Sequence, residues 1–269
     1  MPGHAESPAR IFETAKHLKS KGYHFTTPHP CTQEDVLRVH TEAHLHNVES
    51  GHFSDPDTPV LPNIFDHALM AAGAAIEAAG HAMQGNLAFS LMRPPGHHAT
   101  QNSVMGFCYF NNIAIATQRY LDTHPEHKVA ILDVDCHHGN GTENIFEGNT
   151  RVLYISLHQT HIFPGTGLQS NGNCINYPLL PGTKEDEYLG VLDIACKKIL
   201  DFNPDLLGIS VGFDTYTGDP LAHMHLEITS YQKIGEMIKE LKLPTFAVME
   251  GGYSKDLPLC VEMFLDGLK

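Results

Sequence analysis

The sequence predicts an α/β domain, an open and mainly parallel β-sheet with helices on both faces. Two observations carry that expectation. Near-continuous apolar runs at residues 87–91, 129–132, 152–157, 206–211 and 245–249 read as strands buried on both sides, with helical periods between them at 113–121, 185–202 and 229–241. Polar clusters then follow the carboxyl ends of those runs, where open parallel sheets bind ligands. At 269 residues, 42% hydrophobic and 18% charged, the chain can bury a sizeable core. No repeat, low-complexity segment or Pro/Gly/Ser linker divides it, so one domain over 1–269 is expected.

The elements follow in order. Ser7 as N-cap, Pro8 at the first helical position, apolar Ile11, Ala15 and Leu18, and Gly22 as the stop predict a first helix. Residues 25–27 read as a short strand. Thr32 with Asp35 three residues on forms a capping box for a second helix. Residues 51–62, with three prolines, read as a surface loop, and a long helix follows over 63–83, stopping near Gly85. A last helix is expected at 256–268.

Composition narrows the function classes. A net charge of −14 repels nucleic acid and suits cationic small molecules or Lys-rich peptides. The six cysteines are scattered without a C-x-x-C pair, which favours reduced thiols in the cytoplasm. The first residues show no signal-peptide pattern, and Glu77 and His81 interrupt the longest apolar stretch, so no membrane span is expected.

The stretch VAILDVDCHHGNG, residues 129–141, is the centre of the chain. Asp133, Asp135 and His137 fall at every second position, and side chains on extended backbone alternate sides, so the three point one way as the chain leaves the sheet. Two carboxylates and an imidazole converging there require a neutralising cation. Oxygen and nitrogen donors without thiolate suit Zn²⁺, with Mn²⁺ or Fe²⁺ as alternatives. The competing reading is an Asp that caps the next helix beside a loop histidine.

Three other strand ends carry comparable groups. Arg93-Pro94-Pro95-Gly96-His97-His98 is a stiff turn ending in adjacent imidazoles, suited to acid–base work. Gly212-Phe213-Asp214 supplies another carboxylate, and Glu250-Gly251-Gly252-Tyr253 puts a phenol after paired glycines. Alone, each has a plain structural explanation: surface histidines, a helix cap, a packed ring.

RPPGHHA, GFCYFNN (106–112), DVDCHHGNGT, FPGTG (163–167), GFDTYTGDPL and GGY, in that order, resemble the zinc-dependent histone deacetylase superfamily, which includes acetylpolyamine amidohydrolases and acetoin-utilisation proteins. The resemblance begins near Pro2, runs to the end of the chain and implies an arginase-like open α/β fold. It implies Asp135, His137 and Asp214 as zinc ligands and moves Asp133 to a supporting place behind His97. It implies His98 as general base and then acid, supported by Asn140, where the family has Asp or Asn; a neutral partner favours the free base. It further implies Tyr253 as the phenol on the substrate carbonyl, Phe107 and Phe163 with Gly106 as the tunnel walls, and Asp57 as the rim carboxylate. Asp133, Ser156 and Leu157, with the carbonyls of Asp135 and His137, match the family's K⁺ site.

The implied activity is removal of acetyl or another short acyl group from an amine by a Zn²⁺ enzyme, with Fe²⁺ as the alternative ion in the cell. Leu221 stands where polyamine-preferring relatives carry a glutamate. That favours acyl-lysine in peptides or proteins, with acetylpolyamine second; His223 and His225 read as solvated loop residues. Relatives carry a strand before the segment starting here at Pro2-Gly3-His4, so the sheet is expected to lack one strand or borrow a replacement, and an exposed edge would favour a homo-oligomer. Arg10 matches an arginine of the family's internal acetate channel, or is a structural helix residue. An arginase-type di-manganese site would need a carboxylate where Tyr216 stands, and a catalytically dead binding module would be expected to lack a ligand, base or phenol that is present here.

Overall fold

The computed structural model describes residues 3–269; Pro2, where the family resemblance begins, lies outside them. Six strands form one sheet: β1 (Ala88–Ser90), β2 (Val129–Asp133), β3 (Val152–Gln159), β4 (Cys174–Leu179), β5 (Leu206–Val211) and β6 (Thr245–Met249). Their order is β1-β6-β5-β2-β3-β4, and every pairing is parallel. The chain winds outward from β2 to β4 on one side and from β5 to β6 on the other. The switch point therefore lies between the carboxyl ends of β2 and β5, the crevice where such sheets bind ligands.

The register aligns those ends. One row across the sheet reads Ser90, Val248, Ser210, Asp133, Ser156, Asn176, polar at five of six positions. Below the row the strands are apolar and fully buried: Val129 to Leu132 and Leu206, Leu207 and Ile209 show no exposure. Hydrophobic burial holds the sheet, and the polar row marks where the chain turns to other work.

Nine helices among the described residues cover the two faces. One face packs on α1 (Pro8–Ser20), α7 (Glu185–Phe202), α8 (Ile228–Lys239) and α9 (Leu257–Leu268), through Leu18, Tyr188, Leu192, Tyr231, Ile234 and Phe264. The other packs on α3 (Glu42–Ser50), α4 (Ile64–Met83) and α5 (Asn112–Thr123). The alanine stripe of α4, with Ala68, Ala72, Ala75 and Ala79 buried, lets that helix lie close. The short α2 (Gln33–Val36) carries the expected capping box from Thr32 and Asp35. No helix among the described residues is long and apolar enough to cross a membrane.

Three elements differ from expectation. Residues 25–27 are irregular, with Phe25 42% exposed and no neighbouring strand to pair with. β4 was not foreseen because it contains Pro178 and alternates in burial, both tolerated on an edge strand. Neither α3 nor α6 (Asn140–Phe146) has a long apolar period; α3 is set instead by its Thr41 cap on the His44 N–H and by left-handed Gly51. The described residues contain no strand before β1, which leaves this three-residue strand at the sheet edge.

Candidate active site

Asp135 and His137 leave the end of β2, and Asp214 leaves the end of β5, so the switch point brings them together. One ligand atom from each lies within 4.8 Å of the others. The His137 Nδ1 stands 2.9 Å from Asp214 Oδ2 and 3.2 Å from Asp135 Oδ1. The remaining carboxylate oxygens are held: Asp214 Oδ1 accepts from the Cys136 N–H at 2.9 Å and Asp135 Oδ2 from the Gly251 N–H at 2.8 Å. A Cβ on Gly212 would collide with the Asp135 carboxylate, and one on Gly251 with both carboxylates, so only glycine admits this arrangement. Burial, then the Asp135 charge, pushes the Asp214 carboxyl above its ordinary pKa, a cost that a cation between them removes. Two carboxylates and one imidazole, oriented by backbone donors, fit Zn²⁺ or Fe²⁺.

The turn after β1 supplies the two histidines. His97 Nδ1 lies 3.0 Å from Asp133 Oδ2, which also takes the Tyr154 hydroxyl at 3.1 Å. Asp133 therefore turns away from the three-residue cluster. Strict alternation does not carry through it because Asp133 is the last residue of β2 and the chain turns beyond it, the Asp135 N–H donating back to Asp133 Oδ1 at 3.2 Å. Burial opposes a charge on His97, but Asp133, Asp135 and Glu250 outweigh it and raise its pKa to about 10. His98 is the opposite case. Its Nδ1 lies 2.8 Å from Asn140 Oδ1, which fixes the proton on Nδ1 and leaves Nε2 as the basic atom. Burial, then the neighbouring His97 and His137 rings, holds its pKa well below the usual histidine value.

Tyr253 follows the glycine turn after β6. Its N–H donates to Asp219 Oδ2 at 2.6 Å, and the Arg10 guanidinium lies over its ring, 4.6 Å from the centroid. Arg10 also donates to the carbonyls of Glu250 and Gly252, at 2.6 and 2.7 Å, so α1 fastens this turn. Burial raises the Tyr253 hydroxyl well above its ordinary pKa and keeps it a donor.

The walls and rim are looser. Phe163 presents its edge to His98 at 5.0 Å, and Phe107 lies 5.9 Å from the Tyr253 ring. A Cβ on Gly106 would come within 2.7 Å of the His98 ring and 2.8 Å of Phe163. Asp57 and Leu221 are exposed on loops. Ser156 lies behind the site, fully buried, with its hydroxyl 2.8 Å from His158 Nδ1. Tyr216 places its hydroxyl on Asp256 at 3.2 Å and adds no carboxylate to the cluster.

The histone deacetylase domain family matches residues 4–268. The chain belongs to the histone deacetylase family. It is an amidohydrolase of the deacetylase type. A probable deacetylase of Archaeoglobus fulgidus is 37% identical over 94% of this chain and 77% of its own length. Acetylpolyamine amidohydrolase 1 of Pseudomonas aeruginosa is 42% identical over 77% of this chain and 63% of its own. The crystal structure of the acetylpolyamine aminohydrolase of Burkholderia pseudomallei matches with a TM-score of 0.92 at 29% identity, covering 98% of this chain and 90% of that one.

Within this deacetylase site, three contributors escaped sequence reasoning. Glu250 accepts from the N–H groups of Gly96 and His97, at 2.7 and 3.1 Å, and so pins the histidine turn to β6. Tyr154 braces Asp133, and Asp219 holds the backbone of Tyr253. The available signal was their burial: a tyrosine inside an apolar strand and carboxylates beside glycines need partners.

Proposed function

We propose that the protein is a Zn²⁺-dependent deacylase of primary amines, acting first on acyl-lysine in peptides or proteins. One observation carries the reading: His98, whose Nδ1 is engaged by Asn140 so that Nε2 stays free, lies with its ring 6.2 Å from that of His137 in the Asp135–His137–Asp214 cluster. Asp135, His137 and Asp214 would hold the ion; bound there, it supplies Lewis acidity and brings water towards a pKa of about 7. The Nε2 of His98 takes a proton from the attacking water, a contribution of about 10²–10⁴-fold. The Tyr253 hydroxyl donates to the substrate oxygen where negative charge develops. His97, kept cationic by Asp133, adds positive charge beneath, and His98 then returns its proton to the leaving amine. Phe107 and Phe163 flank the acyl chain, and Asp57 binds the substrate backbone at the rim. A structural K⁺ beside Asp133, Ser156 and Leu157 belongs to the same reading; all three residues are fully buried behind the ligands.

Leu221 supports acyl-lysine, since it provides no counter-charge for a second ammonium. Acetylated polyamine is the second reading, favoured by relatives named for that substrate. The test measures release of free amine from acetyl-lysine peptides, longer acyl-lysines and acetylpolyamines. The expected result is Zn²⁺-dependent turnover abolished by chelator, with the peptide ahead. Preference for acetylpolyamine would reverse the substrate order, and no turnover of any acylated amine would end the proposal.

A further inference from the structure

The backbone at Phe107 directs attention to a residue outside the reacting groups. Gly106 and Phe107 are the central residues of a hairpin turn, closed between Met105 and Cys108 by reciprocal N–H to carbonyl bonds of 3.1 and 2.9 Å. Both have positive φ, 54° and 69°. That is the pattern of a type I′ turn, usually made of Asn-Gly or Gly-Gly, and a bulky ring there persists only where its surroundings hold it. Gly106 is required, since a Cβ would meet His98. Phe107 has no such necessity in its backbone.

Two features show what holds it. The Phe107 N–H is not used by the turn and instead donates to the Thr58 hydroxyl at 2.9 Å; Thr58 is 2% exposed. Packing holds the ring only on part of its surface, through edge contacts with His4 at 4.9 Å and Tyr253 at 5.9 Å. Phe107 borders a cavity of about 100 Å³, also lined by His4, Pro59, Leu61, Ile64, Arg93 and Tyr109, so open space lies beside it. Thr58 also sits directly after Asp57, and the Tyr109 hydroxyl bonds the carbonyl of Pro59, which fastens the same loop.

We propose that Thr58 is a positioning residue: by gripping the Phe107 amide it sets the spacing between the aromatic wall and the rim loop bearing Asp57, and so governs how tightly an acylated amine is held. This rests on reading the site as a deacylase of acylated amines. The test uses the Zn²⁺-loaded enzyme with an acetyl-lysine peptide. Thr58→Val removes the hydroxyl at constant shape, Thr58→Ser keeps it, and both are made with and without Phe107→Ala. Thr58→Val should raise KM about tenfold, the order of one lost hydrogen bond. Its kcat should stay within about threefold of the parent, Thr58→Ser should restore the parent KM, and Thr58→Val should add nothing once Phe107 is alanine. An unchanged KM, a Ser variant as weak as Val, or an effect that persists without the Phe107 ring would overturn the proposal. If Thr58→Val does not fold, Thr58→Ala against Thr58→Ser carries the same comparison. Inactive wild-type enzyme would refute the deacylase reading itself, whereas active wild type with indifferent Thr58 variants refutes only the role of Thr58.

Discussion

The floor of the site and its rim are built in opposite ways. On the floor, Asp135, Asp214, His97 and His98 are at most 5% exposed, emerge from strand ends, and are braced by backbone donors or neighbouring side chains. At the rim, Phe163 and Leu221 are each 37% exposed and Asp57 lies on a proline-rich loop. On the proposed function, the sheet would thus dictate the reaction and the loops would choose the substrate. Substitutions on the floor should cost orders of magnitude, and those on the rim should redirect activity modestly.

The sharpest break falls on the ligands. Asp214→Asn should abolish stoichiometric metal binding, read by elemental analysis, and reduce deacetylation to background; full activity with bound metal would remove Asp214 from the centre. Next, Tyr253→Phe should lower kcat by about 10²–10³-fold while metal content stays at the parent level, because only a donor to the developing charge is lost.

A subtler test concerns His98. Protonated His98 cannot act as a base, so activity is lost as pH falls through its pKa, which burial places below the ordinary 6.5. Asn140→Asp places a carboxylate beside the ring, favours the charged form and should move this acid limb up by about one pH unit. The pH profile of kcat/KM reads it, and an unmoved limb would separate His98 from the titration. On the rim, Leu221→Glu should shift the ratio of acetylpolyamine to acetyl-lysine turnover by only about threefold, as expected of an exposed charge in water. A shift of orders of magnitude would show that the rim is no looser than the floor.

The same division explains what could be read from the sequence. The four inner strands announce themselves because burial on both faces demands continuous apolar runs, and the edge strand β1 shows as a short apolar run, whereas β4, at the other edge and broken by Pro178, does not. The residues implied for chemistry were legible as ordered motifs, yet their pairing was not: Asp214 meets His137 across 77 positions only because β5 lies beside β2. Asp133 was misplaced by simple alternation because the strand ends at that residue. Glu250 and Asp219 stayed invisible as supports since they hold the histidine turn and Tyr253 through backbone N–H groups, which no side-chain pattern encodes.

Gly212 and Gly251 have a consequence for how kindred chains are judged. A methyl group at Gly212 would displace the Asp135 carboxylate, and one at Gly251 both carboxylates, while leaving every acid, imidazole and phenol of the sequence untouched. On the proposed function, catalysis would thus be extinguished in a lineage that still looks intact by its reactive residues, and checking these two glycines beside the side chains is the safer way to separate working enzymes from silent copies.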